Sequence, residues 1–205
     1  MNATLKSLFT GSALALAMIA SSGAHAADAQ PSGVRGAITA INGDDLQVKT
    51  NRGENVVVHM TSDTLVRGVT LAKITDIKPG SYVGSAAVPQ ADGTLKALEV
   101  HVFPPSLAGT GDGHRAFDLA PNSSMTNGSV GDMVVANGRT ITVKYKGGEQ
   151  KILVPEDVPI VNLVPADRSL LKPGVKIVLF AQKAADGSYT AKGISAGEDG
   201  LKPPM

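Results

Sequence analysis

The sequence predicts an all-β protein made of two small, tandem five-stranded barrels joined by a long ordered linker. Three observations carry that expectation. Apolar and polar residues alternate over short runs, as in Leu46-Gln47-Val48-Lys49 and Ile141-Thr142-Val143-Lys144, which is the period of a strand buried on one face. Turn dipeptides punctuate these runs: Asn42-Gly43, Asp92-Gly93, Asn137-Gly138 and Asp186-Gly187 supply the positive φ angles that tight hairpins need. Third, the chain matches itself. A shift of 95 positions lays Asn42 to Glu54 on Asn137 to Glu149 with six of thirteen pairs identical. A shift of 94 lays Asp76 to Gly80 on Leu170 to Gly174, and Ala91 to Ala97 on Ala185 to Ala191. Matching turns in matching order point to a tandem duplication.

Taken in order, residues 1–26 read as a secretory signal peptide: a basic Lys6, an apolar run from Leu8 to Ala20, and the small-x-small triplet Ala24, His25, Ala26. The run falls short of the ~20 apolar residues of a membrane-spanning helix. Cleavage near Ala26/Ala27 gives a periplasmic or secreted chain with no membrane span. Residues 33–103 form the first repeat: strand, Asn-Gly turn, strand, Gly-Glu turn, strand, a Lys-Pro-Gly bend, strand, Asp-Gly turn, strand. Residues 130–197 repeat the plan. Between the third and fourth strands of each copy, Val66 to Gly80 and Val161 to Gly174 interrupt the alternation, with Leu71, Ile74, Ile77 and Leu170, Leu171 available to plug a small barrel. Such a barrel is OB-like. Residues 104–129 read as a Gly/Pro-rich linker, long enough to be functional, whose Phe117, Leu119 and Met125, with Phe103 just before it, pack on the barrels. Residues 198–205, with Pro203-Pro204, read as a disordered tail.

Composition excludes several function classes. The 205 residues are 42% apolar, 3% aromatic and 18% charged, with 23 glycines, 12 prolines and no cysteine. Without cysteine there is no disulfide framework, thiolate nucleophile or Cys-ligated metal. There are 19 Lys plus Arg against 18 Asp plus Glu, and Lys6 belongs to the leader, so the remainder balances. That argues against nucleic acid as a partner, as does the scarcity of aromatic side chains on which bases could stack.

The modules, with G-x-(I/V)-x-x-(V/I)-N-G, V-K, G-E, K-P-G and D-G in series, flank a joining segment G-T-G-D-G-H-R-A-F-D-L-A-P-N-S-S-M-T-N. In these features the chain resembles a family of exported bacterial proteins of unknown function that carry tandem OB-like β repeats. Such sequences often bear the automatic label "metal ABC transporter permease". A permease needs several membrane-spanning helices, and nothing after the leader is apolar for long enough to form one. What the resemblance implies is an uncharacterised envelope protein, with metals at most in its neighbourhood.

The joining segment also carries the sharpest candidate site. Alternating glycines in Gly109 to Gly113 let backbone approach a ligand, and Asp112, His114 and Asp118 offer one nitrogen and two carboxylates to a divalent or copper ion. Gly111, Gly113, Arg115 and Phe117 are the matching candidates for an interaction surface. The spacing is neither a P-loop nor a Rossmann fingerprint, since no Gly-Lys-Ser/Thr follows and no strand and helix flank it. His59 beside Met60, and His101 with Glu99 two residues earlier on one face, are lesser metal candidates; their counterparts are Val154 and Ser195. Ser123, Ser124 and Thr126 lie near His114 in sequence, but there is no G-x-S-x-G elbow, and Asp44-Asp45 and Glu156-Asp157 sit at turns. The expectation is therefore a non-enzymatic periplasmic binding or adaptor protein. It meets a cell-envelope protein partner through the linker and barrel edges, and a metal-binding role for His114 and nearby carboxylates is the alternative.

Overall fold

A computed structural model describes residues 32–134, 139–183 and 188–205, so the expected leader and the turns at Asn137-Gly138 and Asp186-Gly187 lie outside the described residues. In the first half the strands are β1 (Ser32–Asn42), β2 (Asp45–Thr50), β3 (Asn55–His59), β4 (Leu65–Leu71), β5 (Tyr82–Pro89) and β6 (Leu95–Val102). β7 (Gly113–Ala116) follows, and then β8 (Ser124–Val134), β9 (Thr140–Tyr145), β10 (Gly148–Leu153), β11 (Ile160–Pro165), β12 (Lys176–Lys183) and β13 (Tyr189–Gly197). Among the described residues the helical elements are 3-10 turns, at Ile74–Asp76, Pro105–Leu107 and Arg168–Leu170. Among the described residues no helix is long and apolar enough to cross a membrane.

The protein is all-β and its strands close into a five-stranded barrel, as the sequence predicts. What differs is which strands do the closing. β1 pairs with β2 and β12, β2 with β3, β12 with β13, and β13 returns to β3 in parallel through Tyr189 opposite Val58. This β1 ring takes three strands from the first half of the chain and two from the second. A second ring reverses the loan: β5 and β6 join β8, β9 and β10, and β10 returns to β6 through Ile152 opposite Leu95. The units 33–103 and 130–197 therefore do not close on themselves. Alternation fixes which residues of a strand point inward, but it leaves the partner strand open.

Between the rings, β4 and β11 run antiparallel, each also lying parallel to a strand of one ring: β4 beside β13, β11 beside β6. The stretches read as interruptions, Val66 to Gly80 and Val161 to Gly174, thus begin with the bridging strands. Val69 lies opposite Leu163, its counterpart 94 positions on, so the pseudo-twofold relation between the halves passes through this pair. Both halves carry the same bulge, between Ala86 and Ala87 opposite Glu99 and Ala97, and between Phe180 and Ala181 opposite Gly193 and Ala191. Gly36 and Gly128 share another constraint. A Cβ at either would run into the carbonyl of the lysine across the strand pair, Lys49 or Lys144.

Each ring has its own core. Ile38, Leu46, Val48, Val58, Ile177, Leu179 and Ile194 fill the β1 ring, and Val83, Val100, Ile141, Val143, Ile152 and Val154 the β8 ring. The expected plugs behave unequally. Leu171 is buried in the first core and Ile77 in the second, with Leu170 and Ile74 half-buried against them, whereas Leu71 is 73% exposed at the end of β4. A third cluster, of Val69, Tyr82, Phe103, Val161, Leu163, Val178 and Met205, joins the rings. The end of the chain is packed there rather than frayed: Met205 is buried and its backbone oxygen accepts a hydrogen bond from Arg35 Nε at 2.9 Å, with Leu201 against the same cluster.

Candidate functional site

The joining segment is not a plain connection. It makes a 3-10 turn, a glycine loop, β7, a second turn at 118–122, and then enters β8, so its last residues, Ser124 to Ser129, pair with β5. The run Ser-Met-Thr-Asn-Gly-Ser is composed of turn formers, which hides the strand. Gly109, Gly111 and Gly113 all adopt positive φ, at 87°, 60° and 127°, as the alternating glycines demand.

That loop is clasped by the β8 ring. Asp112 accepts the Lys146 backbone N–H at 2.7 Å, while the carbonyl of Thr110 accepts from Asn127 Nδ2 at 3.2 Å and from the Tyr82 hydroxyl at 3.3 Å. Burial beside the Asp112 carboxylate pushes the Tyr82 phenol up to about 12. Arg115 folds back on the carbonyl of Gly111, at 2.8 Å. His114 Nδ1 meets Thr126 Oγ1 at 2.8 Å, and its ring lies 6.2 Å from that of Tyr145 in a stacked arrangement.

Beyond β7 the segment turns to the other ring. Both oxygens of Asp118 accept from the Arg35 guanidinium, at 2.7 and 3.0 Å, and these bonds hold the Asp118 carboxyl below its usual range. Arg35 also sits 5.4 Å from the centre of the Phe117 ring, within cation–π range. The segment thus fastens one ring to the other, with Asp112 on the β8 side and Asp118 on the β1 side.

The candidate metal ligands are not gathered. Asp112, His114 and Asp118 each hold a different partner, and among the described residues no group of three or more His, Asp or Glu side chains is placed to hold a metal ion. His59 is exposed and pairs with Asp45 across the β2–β3 hairpin at 2.8 Å, while Met60 points into the core of the β1 ring. His101 is different. It is buried, its Nδ1 lies 3.0 Å from Glu99 Oε2, and Glu99, 0% exposed, accepts the Ala86 N–H freed by the bulge at 2.8 Å. His101, Gly84 and Asn127 lie side by side on β6, β5 and β8, and a Cβ on Gly84 would overlap both the imidazole and Asn127 Oδ1. Gly84, inside an apolar strand, is the sequence signal for this close approach. Tyr82 and Asn127, which clasp the linker, carry no such signal.

Residues 35–101 match a domain of unknown function, DUF5666. No curated protein and no solved structure matches the chain. The matched stretch runs from β1 into β6 and so contributes strands to both rings.

Proposed function

We propose that this protein is an exported, non-enzymatic binding or adaptor module of tandem, duplicated OB-like barrels that takes an extended segment of a cell-envelope protein onto β7. One observation carries the reading. Both rings are closed, whereas among the described residues β7 pairs with β8 alone. Phe117 N–H donates to the Ser123 carbonyl on the β8 side. Strand alternation then turns the N–H and C=O of His114 and Ala116 outward, where an added strand would find them. The clasp at Asp112 and Lys146 and the Asp118–Arg35 pair brace the strand at both ends, so little conformational freedom is lost on binding. The leader expected at residues 1–26 supports an envelope location.

A photoreactive residue in place of His114, in living cells, tests the proposal. The expected result is crosslinking to one discrete envelope protein, abolished by Ala116→Pro, which removes an outward N–H while sparing the β8 ladder. Crosslinks that survive Ala116→Pro, or that arise equally from a photoreactive residue at exposed Leu71, would refute strand addition.

A further inference from the structure

The charge balance of the chain conceals a local excess. Lys176 of β12 and Lys49 of β2 lie opposite the same residue of β1, Ala37. They are two strand spacings, about 10 Å, apart at the backbone, with only a methyl group between them. A cleft of about 350 Å³ opens at this point, and Lys202 closes its third side. Lys202 is held there because Leu201 and Met205, on either side of it, pack into the cluster between the rings. Asn51 and Lys202 are shared with an adjoining cleft of about 300 Å³ that contains Arg35 and Met205, and no Asp or Glu side chain lines either one. None of the three lysines makes an ion pair or a side-chain hydrogen bond among the described residues, whereas Arg35 is already neutralised by Asp118.

We propose that Lys49, Lys176 and Lys202 form a binding site for a phosphate group on the outer face of the β1 ring. Three flexible ammonium groups converging on a small gap suit a compact, multiply charged anion with several oxygens. A planar carboxylate is better met by an arginine fork, and the one arginine present is engaged. Ala37 leaves the floor open, and Asn51 offers an amide at the rim. The site has no twin on the other ring. There the corresponding row is Tyr82, Ser129 and Lys144, with one cation and with Tyr82 turned to the linker. The inference is independent of strand addition at β7.

Calorimetric titration of the purified protein with inorganic pyrophosphate at low ionic strength tests it. Binding is expected to saturate, to weaken steeply with added salt, and to fall about tenfold or more in the Lys49→Gln/Lys176→Gln variant. These exposed side chains are not needed for folding. Lys144→Gln/Lys151→Gln removes the same charge from the β8 ring and is expected to bind as the native protein does. Equal loss in both variants means general electrostatics and overturns the proposal. A parallel arm measures sedimentation with vesicles of phosphatidylglycerol or phosphatidylcholine. Capture by phosphatidylglycerol alone, lost in the first variant only, assigns the phosphate to a lipid headgroup, and pyrophosphate binding without vesicle capture assigns it to a soluble phosphate ester. Absence of both overturns the site.

Discussion

The β1 ring and the β8 ring share a strand plan, a bulge and a plug, yet their outer faces are finished differently. On the β8 ring the joining segment bonds to Tyr82 and Asn127, and the same ring carries the buried pair of Glu99 and His101. On the β1 ring the equivalents of Glu99 and His101 are Gly193 and Ser195, and the face carries Lys49 and Lys176, which make no ion pair among the described residues. One scaffold used twice has one covered wall and one open wall. Closure of the barrel is thus separable from the surface chemistry laid upon it, and any specific function has to be sought where the two rings differ.

The largest expected effects test the shared part. Ile77→Ala and Leu171→Ala each remove a buried plug, at a cost of about 3 to 4 kcal/mol, measurable by denaturant unfolding. Because the rings exchange strands, either variant should lower one common transition. Two separable transitions, only one of them moved, would mean the rings are independent. Glu99→Ala comes next and addresses the divergent part. It leaves the Ala86 N–H and His101 Nδ1 buried without a partner and should cost about 3 kcal/mol. A cost within about 0.5 kcal/mol, as for an ordinary surface change, would mean the pair does not stabilise the β8 ring.

The covered wall also predicts an alkaline response. Tyr82 titrates near 12 rather than near the ordinary 10, so the folded state holds its proton more tightly than the unfolded state. The stabilisation is complete below pH 10 and disappears as pH rises through about 12. Tyr82→Phe should flatten stability across that window and delete the tyrosinate absorbance that develops at its upper end. The smallest effect is at the strap to the other ring. Asp118→Asn should cost about 1 kcal/mol or less, since the carboxylate is half exposed. The Asp118 carboxyl is held low by Arg35, so this contribution is present above the ordinary aspartate range, near 4, and is lost as pH falls below it. Unfolding curves at pH 6 and pH 3 should differ less for the variant than for the native chain.

Much of the scaffold is legible in the sequence because it is written in local chemistry. Leu46, Val48, Ile141 and Val143 are buried as their alternation requires, and Gly43, Gly93 and the linker glycines adopt positive φ. Strand exchange is not legible, since β3 and β10 carry no mark of which parallel neighbour will close them. β8 is masked by its Ser, Asn and Gly, and the packed tail by the prolines before Met205. For the joining segment, composition finds the loop but not its partners, because Arg35 of β1, Tyr82 of β5 and Lys146 of the β9–β10 turn lie far apart in the sequence. The same holds for the lysine cleft. A net charge near zero is a sum over the chain, and Lys49, Lys176 and Lys202 become neighbours only through the pairing of β1 with β2 and β12.

That pairing also governs how the molecule can be made. β1 meets β12 through pairs such as Ser32 with Ala181, contacts that span most of the chain. Loops of that length close slowly, and topologies rich in them fold late. A chain emerging from the ribosome can form the β1–β2–β3 meander early, but it cannot complete that ring until β13 has been synthesised. Until then the β1 ring has unpaired edges and no finished core. The first strands made must wait for the last: a chain halted after β10 holds every strand of the β8 ring but cannot finish the β1 ring.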